Sequence, residues 1–451
     1  MQVTETRSEG LTREFQVVVP AAELDTRLND RLTQIKDEVR IKGFRPGKVP
    51  VNHLRRLFGK STMAEIVQSV VSEVARKTLT DRGERAATPP DFKLPEDENE
   101  ANRVLAGEAD LAYVMTYEVL PKVTLGDFKG VTVERPVAEL SDAEVDEQLK
   151  QLADNTRSFT AKDGKAEKGD RLTIAYVGKI DGEPFEGGTD DNAIMRLGAG
   201  QFIPGFAEQL EGVTAGEAKT ITVTFPENYG AAKLAGKTAN FDVTVKEVAK
   251  PDDLVIDDEL AKRLGLESLD KLRDAIRAQL QQQYSTATRQ KVKRQVLDRL
   301  DEMHSLELPP KMVEQEFENI WRQVTNELQS TGRTFEAEET TEEAARADYR
   351  KIAERRVRLG LVMSEIGERN KIEVTDEEVQ RALSAQMRQF PGQEKALIDY
   401  YRQNPDALAS LRAPIFEEKV VDYLLELAKV NDKPVSREEL MREDEDEKAS
   451  A

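Results

Sequence analysis

The sequence predicts a multi-domain α+β protein in which a small sheet-rich block separates two blocks that contain helices. The length of 451 residues corresponds to about three domains. Residues 161–250 are dense in Gly and β-branched residues, whereas the chain after Asp257 is helical in pattern almost to its end. We therefore expect an α+β N-terminal domain over residues 1–112, an inserted half-barrel sheet domain over 161–250 and an all-α C-terminal domain over 251–432.

The composition argues against several classes of function. The chain has 66 Lys and Arg against 86 Asp and Glu, a formal net charge of −20, which disfavours a protein that coats nucleic acid. It has no Cys and only two His, so we expect no disulfide, no catalytic triad, no metal and no cofactor. The N-terminus shows no signal peptide and no stretch is apolar enough to span a membrane, so we expect a cytoplasmic protein.

The first block, residues 1–112, combines a hairpin with helices. Stretches of residues that favour β-strands lie on either side of Ser8-Glu9-Gly10 and predict two antiparallel strands. Pro20 then predicts the start of a helix with a Leu-rich face. We predict two further helices at Val51–Phe58 and Ser61–Thr80. Strand patterns return between Ala86 and Leu120, in the segments RVLAG and LAYVMTYEVL.

Residues 113–160 form a connector that we expect to be part of the body of the molecule. Ser141 and Glu144 have the spacing of a capping box, and a short one-sided helix follows. In the C-terminal block the pattern predicts helices over 268–303, from Pro310, over 341–369, after Thr375 and over 414–430. The acidic tail over 433–451 lacks an apolar face and is predicted to be disordered.

A basic segment near the N-terminus contrasts with this acidic chain. Residues 40–60 contain seven Lys and Arg and no Asp or Glu, and the first 112 residues are nearly neutral while the remainder carries almost all the negative charge. Phe44 stands at the tip of a loop in which Gly and Pro alternate. This composition suits docking on RNA phosphates with one apolar contact to a protein. The alternative is a solvated loop with Phe44 folded inward.

The octapeptide GFRPGKVP in this loop resembles the ribosome-binding signature of the bacterial trigger factor family, and the order of the three blocks matches that family as well. The resemblance implies docking beside the polypeptide exit tunnel, on a large-subunit ribosomal protein and adjacent rRNA. It also implies a chaperone that holds nascent polypeptides open and assists folding and export, with a possible homodimer when free. The matching positions are Gly43, Phe44, Arg45, Pro46, Gly47, Lys48 and Pro50.

The sheet-rich block resembles an FKBP-type peptidyl-prolyl isomerase. Five segments match in order, namely AYVG, DGEPFEGG, LGAGQFIPGF, FPENYG and NFDVTV. The resemblance implies a shallow apolar pocket for a proline ring, with Met195 and Leu234 as additional lining. The residues carried over to this catalytic site are Tyr176, Phe185, Phe202, Ile203, Phe206, Tyr229 and Phe241.

The block departs from the small immunophilins at three positions. Phe206 stands where Trp is usual, Glu186 where Asp is common and Ala193 where an aromatic residue is common. The chemistry itself needs no acid, base or metal, because the barrier of about 18–20 kcal/mol to peptide-bond rotation comes from amide resonance. A dry aromatic pocket favours the less dipolar, twisted amide. The alternative is that these aromatic side chains are ordinary core residues.

Two further questions remain open at the level of sequence. The C-terminal helices, which have modest apolar faces and many charges, could form arms around an open cradle or a plain compact bundle. The function that the resemblance implies is a ribosome-associated chaperone with isomerase activity. The alternatives are a non-catalytic scaffold with a degenerate FKBP-like module, and a free cytosolic isomerase whose basic loop binds another anion.

Overall fold

The computed structural model describes residues 1–41, 44, 48–200, 202–226, 229, 233–335 and 340–442. They form an α+β N-terminal domain, a sheet domain in the middle of the chain and a helical body, as the sequence predicts. Within these ranges no helix is long and apolar enough to cross a membrane.

The N-terminal domain is a four-stranded antiparallel sheet covered by helices. Its strands are β1 (Gln2–Glu9), β2 (Thr12–Val19), β3 (Asp91–Lys93) and β4 (Leu111–Glu118), in the order β1-β2-β4-β3, and its helices are α1 (Ala21–Glu38), α2 (Val51–Arg82) and α3 (Glu98–Ala106). The inner face of β2 packs on the buried Leu face of α1. The boundary predicted at residue 112 is wrong, because it would cut β4, which pairs with β2 along its whole length.

Two expectations for this domain are wrong in detail. The two helices predicted between Val51 and Thr80 are one helix, α2, which continues through the buried Gly59 because its apolar residues face the core on both sides of that glycine. The segment RVLAG is helical and not a strand. Its helix, α3, begins at the Asp97 side chain, which accepts hydrogen bonds from two backbone N–H groups, and ends at Gly107, whose φ of 78° is left-handed.

The sheet domain contains five strands. They are β6 (Phe159–Ala161), β7 (Arg171–Ile180), β8 (Glu183–Arg196), β9 (Ala218–Thr224) and β10 (Thr238–Pro251), in the order β6-β10-β7-β8 with β9 paired to β10. A 3-10 helix at Glu208–Leu210 precedes β9. Phe159 on the entering strand pairs with Pro251 on the leaving strand, so the domain enters and leaves the body at neighbouring points. This is the geometry of an inserted domain.

The helical body takes elements from both sides of the insertion. The connector supplies β5 (Thr132–Val137) and α4 (Asp142–Asn155). The C-terminal part supplies α5 (Asp258–Arg263), α6 (Leu269–Met303), α7 (Pro310–Thr331), α8 (Glu342–Asn370), α9 (Asp376–Met387), α10 (Glu394–Gln403), α11 (Pro405–Leu427), β11 (Lys429–Pro434) and α12 (Arg437–Met441). The predicted capping box at Ser141 is formed, and Thr375 forms another at the start of α9.

The body has three separate apolar cores in its described residues. One joins α4 to α5 and the first half of α6, and a second joins α7 to the first half of α8. The third joins the connector, around Phe128 and Val133, to the later parts of α6, α8 and α11. Separate cores on long helices indicate arms and not one compact bundle. The connector packs against the helices of the body through Phe128 and Val133.

The C-terminal end of the chain differs most from expectation. The helix predicted to begin at Pro414 begins at Pro405 and carries Pro414 inside it, because buried residues of α11 hold the helix on the third core. The sequence pattern also missed α10. The predicted disorder of residues 433–451 is wrong for residues 433–442. There β11 pairs in parallel with β5 and α12 buries Leu440, while residues 443–451 lie outside the described residues.

Candidate functional site

The sheet domain brings the predicted aromatic residues together from distant parts of the chain. Tyr176 lies on β7, Phe185 on β8 and Phe241 on β10, while Phe202 and Phe206 come from the segment before the 3-10 helix. The ring of Phe206 is stacked on that of Phe202 at a centroid distance of 4.9 Å and meets Phe241 edge-on at 5.2 Å. We call this group, together with Tyr229, the aromatic layer.

The other members of the aromatic layer meet edge-to-face. The Tyr176 ring lies 5.8 Å from Phe241, 6.1 Å from Phe206 and 6.3 Å from Phe202. The Phe185 ring lies 6.0 Å from that of Phe241. These are favourable separations for aromatic pairs. The structure therefore unites in one cluster five aromatic residues that the motif register selected, and Ile203 packs against the same core.

Two glycines make room for Phe185. A Cβ atom on Gly178 would lie 2.7 Å from the Phe185 ring and 2.6 Å from the Phe241 ring, and a Cβ on Gly188 would lie 2.8 Å from Phe185. Real Cβ contacts are not this short, so both positions require glycine if the rings keep their places. This explains the last glycine of the AYVG segment and the last glycine of the DGEPFEGG segment in steric terms, since the Phe185 ring lies directly on the backbone of β7 and β8.

Burial across the aromatic layer is graded. Phe206 is 1% exposed and forms the floor, Tyr176, Phe185 and Phe202 are half-buried, and Tyr229 is 39% exposed. The layer therefore opens to solvent on one side. Burial, and then the nearby negative charge of Asp190, raise the pKa of the Tyr176 phenol, so that it stays protonated at neutral pH.

The layer can offer hydrogen-bond donors to a carbonyl group. Among the residues that the structure describes, neither the Tyr176 nor the Tyr229 hydroxyl has a hydrogen-bond partner, and the backbone N–H of Ile203 has none either. Such groups beside a buried apolar floor can bind a peptide carbonyl while a proline ring contacts the aromatic side chains.

One aromatic residue of this cluster was missed. Phe225 directly follows β9 and is buried, and its ring lies 4.7 Å from that of Tyr229 and 5.9 Å from that of Phe185. It thus joins the exposed Tyr229 to the buried side of the layer. The signal was available, because Phe225 opens the FPENYG segment and continues the alternation of KTITVTF. Met195 and Leu234, which we named as additional lining, belong to the same core.

The basic loop of the N-terminal domain is described only in part. Gly43, Arg45, Pro46 and Gly47 lie outside the described residues. Phe44 is 38% exposed and is therefore not folded into the core, and its ring lies 5.1 Å from that of His53 at the start of α2.

Residues after Phe44 extend this surface along α2. Lys48 and Pro50 are exposed, whereas Val49 between them is buried and anchors the chain. Arg56, Leu57 and Lys60 on the first turns of α2 are exposed as well. An exposed Phe and Leu among cations fit an anionic partner that also offers an apolar contact. We call Phe44, Lys48, Arg56, Leu57 and Lys60 the basic surface.

Comparisons with known families cover nearly the whole chain. The family described as "Bacterial trigger factor protein (TF)" matches residues 1–152, and that described as "Bacterial trigger factor protein (TF) C-terminus" matches residues 268–426. Between them, "FKBP-type peptidyl-prolyl cis-trans isomerase" matches residues 162–246.

Curated relatives and a solved structure agree with these matches. The chain is 58% identical to the trigger factor of Brucella anthropi over 446 residues, which cover 99% of this chain and 94% of the relative. It is 57% identical to the trigger factor of Azorhizobium caulinodans over 449 residues, which cover 100% of both chains. A solved structure described as "Promiscuous Substrate Recognition in Folding and Assembly Activities of the Trigger Factor Chaperone" is similar in fold, with a TM-score of 0.52 at 20% identity, covering 94% of this chain and 99% of the other.

Proposed function

Because the chain belongs to the bacterial trigger factor family, a family of ribosome-associated chaperones with an FKBP-type isomerase domain, we propose that the aromatic layer is its site of X-Pro isomerisation. The chain is a chaperone that acts on nascent polypeptides and carries peptidyl-prolyl isomerase activity. The observation that supports the location is the graded burial of the layer, from the closed floor at Phe206 to the exposed Tyr229.

The layer suits the transition state of amide rotation. A planar amide has a larger dipole than the twisted one, and the aromatic walls provide little solvation for that dipole. The proline ring contacts the Phe206 floor, while the Tyr229 hydroxyl or the Ile203 N–H donates a hydrogen bond to a peptide carbonyl. Tyr176 keeps its proton because burial raises the pKa of its phenol, so it remains a donor near neutral pH. No proton is transferred in this reaction.

Variants of Tyr229 test this assignment. Its exposed side chain makes one ring contact, with Phe225, so Tyr229→Ala should leave the domain folded. We expect kcat/KM for a proline tetrapeptide to fall at least about tenfold, which corresponds to roughly 1.4 kcal/mol. Tyr229→Phe separates the role of the hydroxyl group from that of the aromatic ring, since it removes only the hydroxyl group. A folded Tyr229→Ala protein with the rate of the unmodified chain would exclude Tyr229 from the site.

We propose in addition that the basic surface docks on the large ribosomal subunit beside the exit tunnel, on a ribosomal protein and adjacent rRNA. The segment Gly43, Phe44, Arg45, Pro46, Gly47, Lys48 and Pro50 is proposed as its centre. Support comes from the exposure of Phe44 and Lys48 and from the absence of acidic residues over 40–60. His53 holds the Phe44 ring outward in this proposal.

Ribosome co-sedimentation of a double variant tests the docking proposal. Phe44→Ala with Lys48→Ala should reduce ribosome binding. Raising the salt concentration should weaken ribosome binding by the unmodified protein, because cation–phosphate contacts release counterions. The matched control is Lys93→Ala with Leu94→Ala, an exposed cation and an exposed apolar residue elsewhere in the same domain. Equal binding by both double variants would exclude the basic surface.

We further propose that the protein is cytoplasmic and that free molecules form a homodimer through the basic surface. The cations of this surface repel their copies, so the contact rests on the exposed Phe44 and Leu57, and it falls on the N-terminal domain because that domain is nearly neutral while the rest of the chain carries most of the charge of −20. Analytical ultracentrifugation of the double variant should then show monomers at concentrations where the unmodified chain dimerises. A dimer that survives these substitutions would place the contact elsewhere.

A further inference from the structure

Strand β8 is an edge of the sheet domain. The order β6-β10-β7-β8 pairs β8 with β7 on one side, and on the other side no strand among the described residues pairs with it. About half of the peptide groups of an edge strand point away from the sheet, and such groups form a template for another extended chain.

At the opposite edge of the same sheet, on β9, a side chain bonds to outward-facing backbone groups. On β9 the side-chain amide of Gln209 donates to the Thr222 carbonyl at 2.8 Å and accepts from the Thr222 N–H at 3.3 Å. This side chain occupies the place that a neighbouring strand would take. On β8 the only comparable contact in the described residues is within the strand, where Asp190 accepts from the Asn192 N–H at 2.8 Å. The β9 edge is therefore capped at Thr222, in the middle of the strand, whereas the β8 edge is open.

The open edge continues directly from the aromatic layer. Strand β8 carries Phe185, and Asp190 on β8 lies opposite Tyr176 on β7. Farther along, Ala193 and Met195 face the core, whereas Ile194 between them points to the other face and is 60% exposed, more than any other large apolar residue described. A strand laid along this edge would thus begin at the proline site and reach an apolar side chain.

The charges of β8 decide between the possible occupants. Glu183, Glu186, Asp190 and Asp191 are exposed, and none forms an ion pair with a described residue. A second copy of the chain would bring four equal charges against these four, and like charges across paired strands are destabilising. An extended segment without acidic residues meets no such repulsion. The β8 edge therefore disfavours pairing with a second copy of this chain but allows pairing with an extended segment that has no acidic residues.

We propose that the β8 edge, over residues 189–195, binds the extended segment of a substrate chain that flanks the X-Pro bond, by adding it to the sheet as a further strand. The proposal rests on the assignment of the aromatic layer as the isomerase site. The added strand takes hydrogen bonds from the backbone of β8 and sets one of its side chains against Ile194. It lengthens the recognised region from the proline to several neighbouring residues without reading their identity, because the bonds are made by the backbone.

The test compares substrates that share one X-Pro centre, measured by NMR exchange with the full chain. One is a tetrapeptide, and two others carry six additional uncharged residues either before or after the proline. We expect one extension to lower KM about tenfold, as a few net backbone hydrogen bonds would. Two further peptides carry N-methyl groups on the odd-numbered or on the even-numbered amides of that extension. Only one of the two should lose the roughly tenfold lower KM, because only alternate residues turn their backbone amides towards the edge. Equal KM values for all three peptides, or equal cost for both parities, would overturn the proposal.

A pair of variants locates the contact. Ile194→Asp should raise KM for the favoured long peptide at least about threefold and leave the tetrapeptide unchanged. Val255→Asp is the matched control, because Val255 is 53% exposed, lies off β8 and receives the same charge. It should change neither substrate. A long peptide that is bound equally by both variants would overturn the proposal, as would a dimer of the unmodified chain that Ile194→Asp dissociates.

These outcomes are distinguishable from failure of the isomerase assignment. If the aromatic layer is not the site, Tyr229→Ala leaves tetrapeptide turnover unchanged whatever the long peptides do. If only the edge proposal fails, Tyr229→Ala still reduces tetrapeptide turnover, while the extensions bring no gain. Binding of long peptides to the helical body would not alternate with the parity of N-methylation, so it cannot imitate the expected pattern.

Discussion

Replacing Phe206 by Ala is the most direct test of the floor of the aromatic layer. The ring is 1% exposed and lies between those of Phe202, Phe241 and Tyr176. Loss of a buried Phe side chain costs about 3–5 kcal/mol. A domain of this size has a total stability of roughly 5–13 kcal/mol. We therefore expect the sheet domain to stay folded in the cold, with a Tm lowered by on the order of 20 °C.

The expected loss of activity follows from the apolar contact that the proline ring makes with the floor. If the ring loses roughly 60–100 Å² of contact at about 25 cal/mol per Å², the transition state loses about 1.5–2.5 kcal/mol. That energy corresponds to a fall in kcat/KM of about 10- to 70-fold. The assay is X-Pro exchange in a tetrapeptide at about 10 °C, where both proteins are folded.

The control variant must lower the stability of the sheet domain without removing a residue of the aromatic layer. Leu172 is fully buried on β7, four residues before Tyr176 and thus about 13 Å away along the strand. Leu172→Ala should cost about 2–5 kcal/mol but keep the activity of the folded protein. Trp321, the single Trp, lies in α7 and reports that the body is unchanged. Equal losses in both variants would attribute the effect to stability, and full activity in folded Phe206→Ala would refute the assignment.

Three further predictions concern the body. Deleting residues 158–249 should leave a soluble helical protein that still suppresses aggregation of a diluted client in light scattering, because the entering and leaving strands are neighbours; a soluble product without protection would place client binding in the sheet domain. The Thr375 N–H and the Lys419 ammonium lower the pKa of Glu378 to about 2, so its contribution to stability is complete above about pH 4.5 and is lost as the pH falls towards 2. Glu378→Gln should flatten this acid dependence in circular dichroism melts, and an unchanged slope would contradict it. Leu440→Ala should destabilise the body by about 2–5 kcal/mol in urea unfolding, whereas Met441→Ala, at an exposed position, should not; equal effects would show that α12 is not packed as described.

Several features of the fold were predictable because they depend on neighbours in sequence. The capping box at Ser141 is formed as predicted and the helix predicted after Thr375 begins with another, since each box requires only two residues three positions apart. The motif register of the sheet domain also selected the residues of the aromatic layer, because the strands and Gly turns that hold them leave a regular pattern. Phe225 escaped notice although it stands in one of those motifs, since its burial depends on the ring of Phe185 on another strand.

Other features depend on contacts between distant residues. The short apolar run RVLAG is compatible with a strand or a helix, and it is helical because Val104 is buried in the core of the N-terminal domain, between the local caps at Asp97 and Gly107. Pro414 has the sequence pattern of a helix start, but packing of α11 on the third core keeps it in the helix interior. In each case the pattern was compatible with two local structures, and burial selected one of them.

The order of the three blocks, the basic character of residues 40–60 and all but Phe225 of the clustered aromatic residues in the isomerase domain could be predicted from the sequence. These properties are written in local composition and in motifs of a few residues. Three other features follow from the fold and not from local pattern: β11 pairs with β5 almost three hundred residues earlier, the body has separate cores, and β8 is an open edge while β9 is capped at Thr222. The physical reason is that periodicity shows which face of an element is apolar, but not which distant surface will cover that face.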